Sequence, residues 1–215
     1  LAAAYDLVRM GYPVTVFEAQ PLPGGMLRLG IPEYRLPENI LDAQIDYIRG
    51  LGVEFKTGIR FGKDLTLRGL EKKGYEAILF AIGAQQSRKI EIEGAQLAEV
   101  LWGLDFLKDV RLKRKVTVKD RVVVIGGGNV AIDAALTALR LGAKDVRIVC
   151  LEGSEEMPAH EESIKTATDE GIDICVAWGP RRIVSDRGRV TGIELIRCLS
   201  VFDGAGSVNP EDGRY

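Results

Sequence analysis

The stretch RVVVIGGGNVAID, residues 121–133, determines the fold that we expect for this chain. Its first five residues favour a β-strand, and the residues from Asn129 onward have the apolar spacing of a helix. Between them lies the pattern Gly126-x-Gly128-x-x-Ala131. Gly126 permits a tight turn, Gly128 allows a pyrophosphate to approach the backbone, and Ala131 lets the helix pack against the sheet. The stretch therefore predicts the first half of a nucleotide-binding βαβ unit, with a turn used only for packing as the alternative.

A strand predicted over residues 145–151 completes this unit and is followed directly by Glu152. An acid there accepts hydrogen bonds from the ribose hydroxyls of an adenosine and repels a 2′-phosphate, which favours NADH over NADPH. An exposed loop glutamate is the alternative. Asp133 is expected in the first helical turn, where a carboxylate stabilises the helix dipole, and its role in binding is left open. The candidate contacts with the pyridine dinucleotide are Gly126, Gly127, Gly128, Asn129, Val130, Ala131, Asp133 and Glu152.

The first residues of the chain repeat part of this layout. A helix over residues 1–10, a stop at Gly11 and a strand over residues 13–18 form the second half of a βαβ unit. Glu18 ends that strand, so we expect it to accept hydrogen bonds from a second adenosine ribose. The alternative is a surface acid at a strand end. The opening strand and the glycine turn of this first unit are missing.

Periodicity and turn residues predict the remaining elements. Residues 21–37 are rich in Pro and Gly and are expected to be irregular, whereas residues 181–199 alternate around Asp186-Arg187-Gly188 and predict a β-hairpin. Residues 203–215 are expected to form a loop. The other predicted helices cover residues 38–51, 65–73, 99–110, 129–141 and 160–169, and the other predicted strands cover residues 53–56, 77–81, 121–125 and 172–177.

Composition narrows the possible functions. A net charge of −2 leaves no basic field that would hold nucleic acid, and no apolar run approaches the roughly 20 residues of a membrane span. The three cysteines form no CxxC pair and only one histidine is present, so a transition-metal site is not expected. These features favour a cytoplasmic protein. The basic residues 111–119 are interpreted as a solvated connector, with a partner-binding patch as the alternative.

Three stretches carry a resemblance to a known family. Residues 24–37 (GGMLRLGIPEYRLP), Gly126 to Asp133 and Glu155 to Ala159 resemble the glutamate synthase small subunit family, which includes the FAD/NADPH part of dihydropyrimidine dehydrogenase. The resemblance implies an α/β, doubly wound, Rossmann-like fold with two nested dinucleotide-binding domains. It implies a partial FAD-binding domain over residues 1–117 and an NAD(P)H-binding domain over residues 118–215.

The family resemblance also implies the chemistry. Hydride would pass from NAD(P)H to FAD, and electrons would continue to iron–sulfur clusters or to a partner domain or subunit. The cofactors carry this chemistry, so no catalytic side chain is assigned. The resemblance also implies that the stretch Ala81-Ile82-Gly83 contacts a dinucleotide. The implied FAD contacts are Glu18, Gly25, Met26, Leu27, Arg35 and Phe61, and Gly83 is the implied dinucleotide contact of the stretch 81–83.

The chain departs from the family pattern in ways that shape our expectations. The opening FAD-binding strand and turn, the closing flavin-domain segment and the cluster cysteines are missing, so we expect an internal fragment that lacks much of the FAD phosphate site. Leu151 and Glu152 stand where NADPH-dependent members carry two arginines, which again favours NADH. The alternatives are a non-catalytic nucleotide-binding module and a disulfide reductase-like flavoprotein, and the lack of CxxC disfavours the second.

Overall fold

The computed structural model describes residues 1–201, and the predicted loop over residues 203–215 lies outside them. Contacts divide the chain into two compact units, Leu1–Gln85 and Gln86–Tyr215. The two units are defined by packing between residues, and packing does not identify the cofactor that each unit binds. The nested domains over residues 1–117 and 118–215 therefore stay a prediction.

The first unit contains a two-stranded parallel sheet with helices around it. Strand β1 pairs with β2 in register from Thr15↔Glu54 to Glu18↔Thr57, so both strands end at the same edge. Helix α3 buries Leu41 and Ile45, four residues apart on one helical face. The elements are α1 (Ala2–Arg9), β1 (Thr15–Glu18), α2 (Gly25–Leu29), α3 (Glu38–Gly50), β2 (Glu54–Thr57) and α4 (Leu67–Lys72).

The second unit contains the βαβ unit predicted from the glycine turn. Strands β3, β4 and β5 are adjacent in that order and parallel, and α6 follows β3 while α7 follows β4. This arrangement confirms the predicted α/β organisation. The elements are α5 (Gly103–Arg111), β3 (Arg121–Ile125), α6 (Asn129–Arg140), β4 (Asp145–Val149), α7 (Glu161–Asp169), β5 (Asp173–Cys175), β6 (Trp178–Asp186) and β7 (Arg189–Arg197).

Helix α6 forms the centre of the second unit. It contacts β3 and β4 on the sheet side and α5 and α7 on the other sides. Every residue from Ala131 to Ala138 is consequently buried, and Ile132 and Leu136 are fully enclosed together with Ile148 of β4. Neighbours therefore cover this stretch on all sides, which stabilises its many apolar side chains in water.

The hairpin is confirmed. Strands β6 and β7 pair antiparallel around Arg187 and Gly188, whose φ angles are 48° and 78°. Positive φ at both central residues is the geometry of a type I′ turn, which matches the twist of the flanking strands.

Two local predictions are wrong. Residues 77–81 form no strand, because within residues 1–201 no other strand pairs with them, and Leu79 is 68% exposed. Residues 21–37, which were expected to be irregular, contain the short helix α2. The residue before this helix, Gly24, has a φ of 128°. In residues 1–201, no helix is both long enough and apolar enough to cross a membrane.

Candidate dinucleotide site

The turn between β3 and α6 depends on glycine at its first position. Gly126 has a φ of 130°, a conformation that side-chain-bearing residues rarely adopt. Its N–H donates a 2.8 Å hydrogen bond to the carbonyl of Val149, which ties the turn to the end of β4. A Cβ on Gly126 would lie 3.7 Å from the Cβ of Ala131, so the helix packs closely behind the turn.

The middle glycine has a function that the sequence did not reveal. Gly127 is buried, and a Cβ placed on it would lie 2.8 Å from Glu152 Oε2 and 3.1 Å from the Cβ of Cys150. Glu152 is half-buried, and its carbonyl accepts a 2.8 Å hydrogen bond from the N–H of Ala177. The missing side chain of Gly127 therefore lets the Glu152 carboxylate lie directly against the turn.

The third glycine faces open space. No heavy atom lies within 4 Å of the position where a Cβ of Gly128 would be. Gly128 is the N-cap of α6, and the first amides of a helix have no acceptor within the helix. Open space beside such amides, at the positive end of a helix dipole, suits a pyrophosphate.

Asn129 contributes its side chain to the protein itself. Asn129 Oδ1 accepts a 3.0 Å hydrogen bond from the N–H of His160, the N-cap of α7. The neighbouring N–H of Ala159 donates to the carbonyl of Gly127 at 3.1 Å. The loop between β4 and α7 is thus joined to the glycine turn at two points. Val130, the next residue, is 45% exposed.

The expected position of Asp133 is wrong. Helix α6 begins at Asn129, so Asp133 lies in its second turn and is only 8% exposed. The effect of a helix dipole is greatest within the first turn, which Asp133 lies beyond.

Cys150 lies beneath the turn and is 1% exposed. Burial, the nearby Glu152 carboxylate and Cys175 together raise the pKa of the Cys150 thiol to about 11. The thiol is therefore protonated at neutral pH and is not a nucleophile.

In the first unit, Glu18 ends β1 and is half-buried. Its Oε1 accepts a 2.8 Å hydrogen bond from the backbone N–H of Gln20, and its carbonyl accepts one of 3.0 Å from the N–H of Ile59. One carboxylate oxygen thus fixes the chain after the strand.

The loop after Glu18 is held by an arginine that sequence reasoning missed. Arg28 is 4% exposed, and its Nε donates a 2.6 Å hydrogen bond to the carbonyl of Pro23. Its guanidinium also pairs with the carboxylate of Asp42 on α3. A Cβ on Gly24 would lie 3.1 Å from the Cβ of Arg28, so this arginine packs against the glycine pair. Nothing in the local sequence distinguishes a buried arginine from an exposed one.

The other predicted contacts of the first unit are at the surface or partly exposed. Phe61 follows β2 and packs edge-on against Phe80, with 4.8 Å between ring centroids. This contact brings Phe61 next to the stretch that leads to Gly83. Gly25, the first residue of α2, is half-buried, whereas the exposed members of the set are Met26, Leu27, Arg35, Phe61 and Gly83.

Comparison with known proteins decides the family. The model of the pyridine nucleotide-disulphide oxidoreductase family matches residues 1–206. The chain belongs to this family. Membership implies FAD and a pyridine nucleotide as cofactors, and the open space at Gly128 with the adjacent carboxylate of Glu152 fits a dinucleotide.

Curated relatives confirm the resemblance to glutamate synthase. The chain is 32% identical over 209 residues to the small chain of glutamate synthase [NADPH] of Escherichia coli (strain K12), covering 92% of this chain and 44% of that protein. It is 34% identical over 181 residues to the PreT subunit of the NAD-dependent dihydropyrimidine dehydrogenase of the same strain, covering 84% and 43%. It is 39% identical over 200 residues to the beta subunit of the NADP(+)-dependent formate dehydrogenase of Moorella thermoacetica, and the match covers 92% of this chain and 28% of that protein. The chain thus spans 28% to 44% of the length of these relatives.

Solved structures show the same fold. Mycobacterium tuberculosis FprA in complex with NADPH matches with a TM-score of 0.80 at 20% identity, covering 96% of this chain and 63% of that chain. A thioredoxin reductase of Lactococcus lactis matches with a TM-score of 0.61 at 21% identity, covering 96% and 69%. These matches confirm the predicted Rossmann-like architecture.

Proposed function

We propose that this chain is the FAD- and NAD(P)H-binding part of an oxidoreductase that passes electrons on to iron–sulfur clusters or to a partner. When bound, the cofactors supply hydride transfer from nicotinamide to flavin. The observation that carries the proposal is the Glu152 carboxylate lying against Gly127, in a glycine turn that opens α6. The glutamate synthase small chain and PreT, as relatives, support the reaction class.

The residues of the second unit divide the binding of the pyridine dinucleotide between them. Backbone amides at the start of α6 hold the pyrophosphate, which approaches over Gly128. The Glu152 carboxylate accepts hydrogen bonds from the adenosine ribose hydroxyls. No side chain is assigned to move a proton, because hydride transfer requires none.

We assign NADH as the preferred coenzyme. A 2′-phosphate next to Glu152 would bring two anions together in a half-buried place, where water screens their repulsion poorly. The names of the relatives include both coenzymes, since PreT belongs to an NAD-dependent enzyme and the formate dehydrogenase is NADP(+)-dependent. The preference therefore rests on Glu152 itself.

FAD is assigned to the domain over residues 1–117, with the NAD(P)H domain over residues 118–215. Glu18 and the turn at Gly24 and Gly25 follow β1 and supply the ribose and backbone contacts. Phe61 follows β2, and Gly83 follows residues 77–81, which form no strand. Met26, Leu27 and Arg35 are the remaining proposed contacts of this domain. A disulfide reductase is disfavoured because Cys150 and Cys198 are buried and the 215-residue sequence contains no CxxC.

Titration calorimetry with NADH and with NADPH tests this assignment. We expect tighter binding of NADH, and we expect Glu152→Gln to reduce the NADH-to-NADPH preference by about tenfold, because a hydrogen bond to a charged group is lost. Glu155→Gln is the matched control, since Glu155 is an exposed glutamate in the following loop.

The possible results separate the parts of the proposal. Tighter binding of NADPH would overturn the coenzyme assignment, and binding of neither coenzyme would overturn the site. Absorbance of the purified protein near the flavin bands tests FAD binding independently, and a colourless protein that still binds NADH would support the non-catalytic module.

A further inference from the structure

We infer that Asn129 is a positioning residue that preorganises the phosphate-binding amides of the glycine turn; the inference rests on the proposed function. It concerns two hydrogen bonds, named here the latch: Ala159 N–H to the Gly127 carbonyl at 3.1 Å, and His160 N–H to Asn129 Oδ1 at 3.0 Å. The latch joins the start of α6 to the N-cap of α7.

The first hydrogen bond of the latch fixes the orientation of a peptide group. Because the peptide between Gly127 and Gly128 is planar and trans, its carbonyl and its N–H point in opposite directions. The carbonyl is directed at the N–H of Ala159, so the N–H of Gly128 points to the opposite side of the turn. Three consecutive glycines would otherwise leave this peptide free to rotate.

The second hydrogen bond holds the loop end in place. Asn129 is half-buried at the first position of α6, and its side chain reaches His160 directly after Ala159. Ala159 is itself 6% exposed and belongs to the core of the second unit. With both bonds in place, the Gly128 amide is oriented before any anion arrives, which lowers the ordering cost of binding.

The residue type at position 129 fits this role. Asparagine supplies an oxygen acceptor without a net charge. An aspartate would accept the same hydrogen bond but would place a negative charge at the helix end where a pyrophosphate is expected to bind. An alanine would supply no acceptor. Asn129→Asp and Asn129→Ala therefore separate the latch from the charge.

Hydrogen exchange of the ligand-free protein measures directly whether the two hydrogen bonds of the latch are formed. We expect Asn129→Ala to accelerate exchange of the His160 and Ala159 amides by about three- to tenfold, the effect of one lost hydrogen bond, and Asn129→Asp to leave their protection in place. Asn39→Ala is the matched control, because Asn39 is an exposed asparagine in the first turn of α3. Unchanged exchange in Asn129→Ala would overturn the inference.

Binding of two probes, ADP-ribose and adenosine, measures the effect of the latch on pyrophosphate binding. ADP-ribose carries the pyrophosphate, whereas adenosine lacks it and keeps the base and the ribose whose hydroxyls Glu152 is assigned to bind. We expect Asn129→Ala to weaken ADP-ribose binding about three- to tenfold and to leave adenosine binding within about twofold. Asn129→Asp should weaken ADP-ribose binding in a salt-dependent manner, because charge repulsion is screened by salt.

The outcomes distinguish this inference from the proposed function. Equal loss of ADP-ribose and adenosine binding in Asn129→Ala would indicate general damage to the site and would overturn the positioning role. Unchanged ADP-ribose binding would overturn the inference alone. Failure of the unsubstituted protein to bind either probe would overturn the proposed function as well, and the exchange data would still show whether the latch forms.

Discussion

Glu152 and Gly127 lie so close together that a methyl group on the glycine would be 2.8 Å from the carboxylate Oε2. The glycine belongs to the turn before α6, and the glutamate follows the strand after that helix. The contact joins the two halves of the βαβ unit at the carboxyl edge of its parallel strands. Ligands of open α/β sheets bind at this edge.

On the proposed function, Gly127→Ala is expected to reduce both the stability of the fold and the affinity for the coenzyme. The new methyl group would also lie 3.1 Å from the Cβ of Cys150, which cannot move as easily as a carboxylate. Overpacking of this kind costs about 1–3 kcal/mol of unfolding free energy. Urea denaturation measures that loss, and calorimetry measures the accompanying fall in NADH affinity.

Gly50→Ala provides the control for this substitution. No heavy atom lies within 4 Å of a Cβ at Gly50, the last residue of α3. Alanine there should leave stability unchanged or raise it by up to about 1 kcal/mol. Equal stability of Gly127→Ala and the unsubstituted protein would show that the turn can accept a side chain.

The stability of the protein should fall in alkaline solution through Cys150. Burial raises the pKa of this thiol from 9.0 to about 11, with contributions from Glu152 and Cys175. The folded state therefore binds the proton more tightly than the unfolded state, so its contribution is complete below pH 9 and is lost as the pH rises towards 11. Thermal melting across this range should show a steeper decline for the unsubstituted protein than for Cys150→Ala. Parallel declines would contradict the assignment.

Arg28→Ala is expected to destabilise the first unit. The substitution removes the hydrogen bond to Pro23 and the partner of Asp42, and it leaves a cavity behind Gly24. Because Asp42 is about half exposed, we expect a loss of about 1–3 kcal/mol and not the larger value of a fully buried pair. Denaturation followed by intrinsic fluorescence measures the loss.

A surface ion pair serves as the reference for Arg28. Arg49 pairs with Asp46 on the exposed face of α3. Arg49→Ala should cost about 1 kcal/mol, since water already screens that pair and the contact of the guanidinium with the Phe55 ring, 5.2 Å from the ring centroid, is weak at the surface. Similar losses in the two variants would argue that the burial of Arg28 has no energetic consequence.

Gly188→Ala should loosen the hairpin. Gly188 has a φ of 78° at the second central position of the turn between β6 and β7, where alanine is strained by about 1 kcal/mol. Amide exchange in β6 and β7 should increase while exchange in β3 is unchanged. Uniform acceleration in all three strands would instead indicate global destabilisation.

Features encoded by neighbouring residues could be predicted from the sequence. The bounds of β3, Arg121–Ile125, match the prediction because four β-forming residues stand directly before a glycine turn. The hairpin was also predictable, since Asp186-Arg187-Gly188 carries its own turn chemistry. Both features depend on contacts within a few residues.

Features that depend on distant residues could not be predicted in this way. The requirement for glycine at position 127 arises from Glu152, 25 residues later, and the ion-pair partner of Arg28 is Asp42 on another helix. Residues 77–81 have the composition of a strand, but a strand also needs a hydrogen-bonding neighbour, which composition does not reveal. Local sequence patterns therefore located the turn but not the contacts that shape it.

The two ends of Glu152 have separate tasks. Its carbonyl accepts the N–H of Ala177 and so ties the loop after β4 to the residues between β5 and β6, while its carboxylate faces the glycine turn. The hydrogen bond that anchors this residue is formed by the backbone and would persist with another side chain. On the proposed function, coenzyme use can therefore be retuned at position 152 by a single amino-acid exchange without rebuilding the strand, which makes this residue the place to begin when engineering the enzyme for a different reductant.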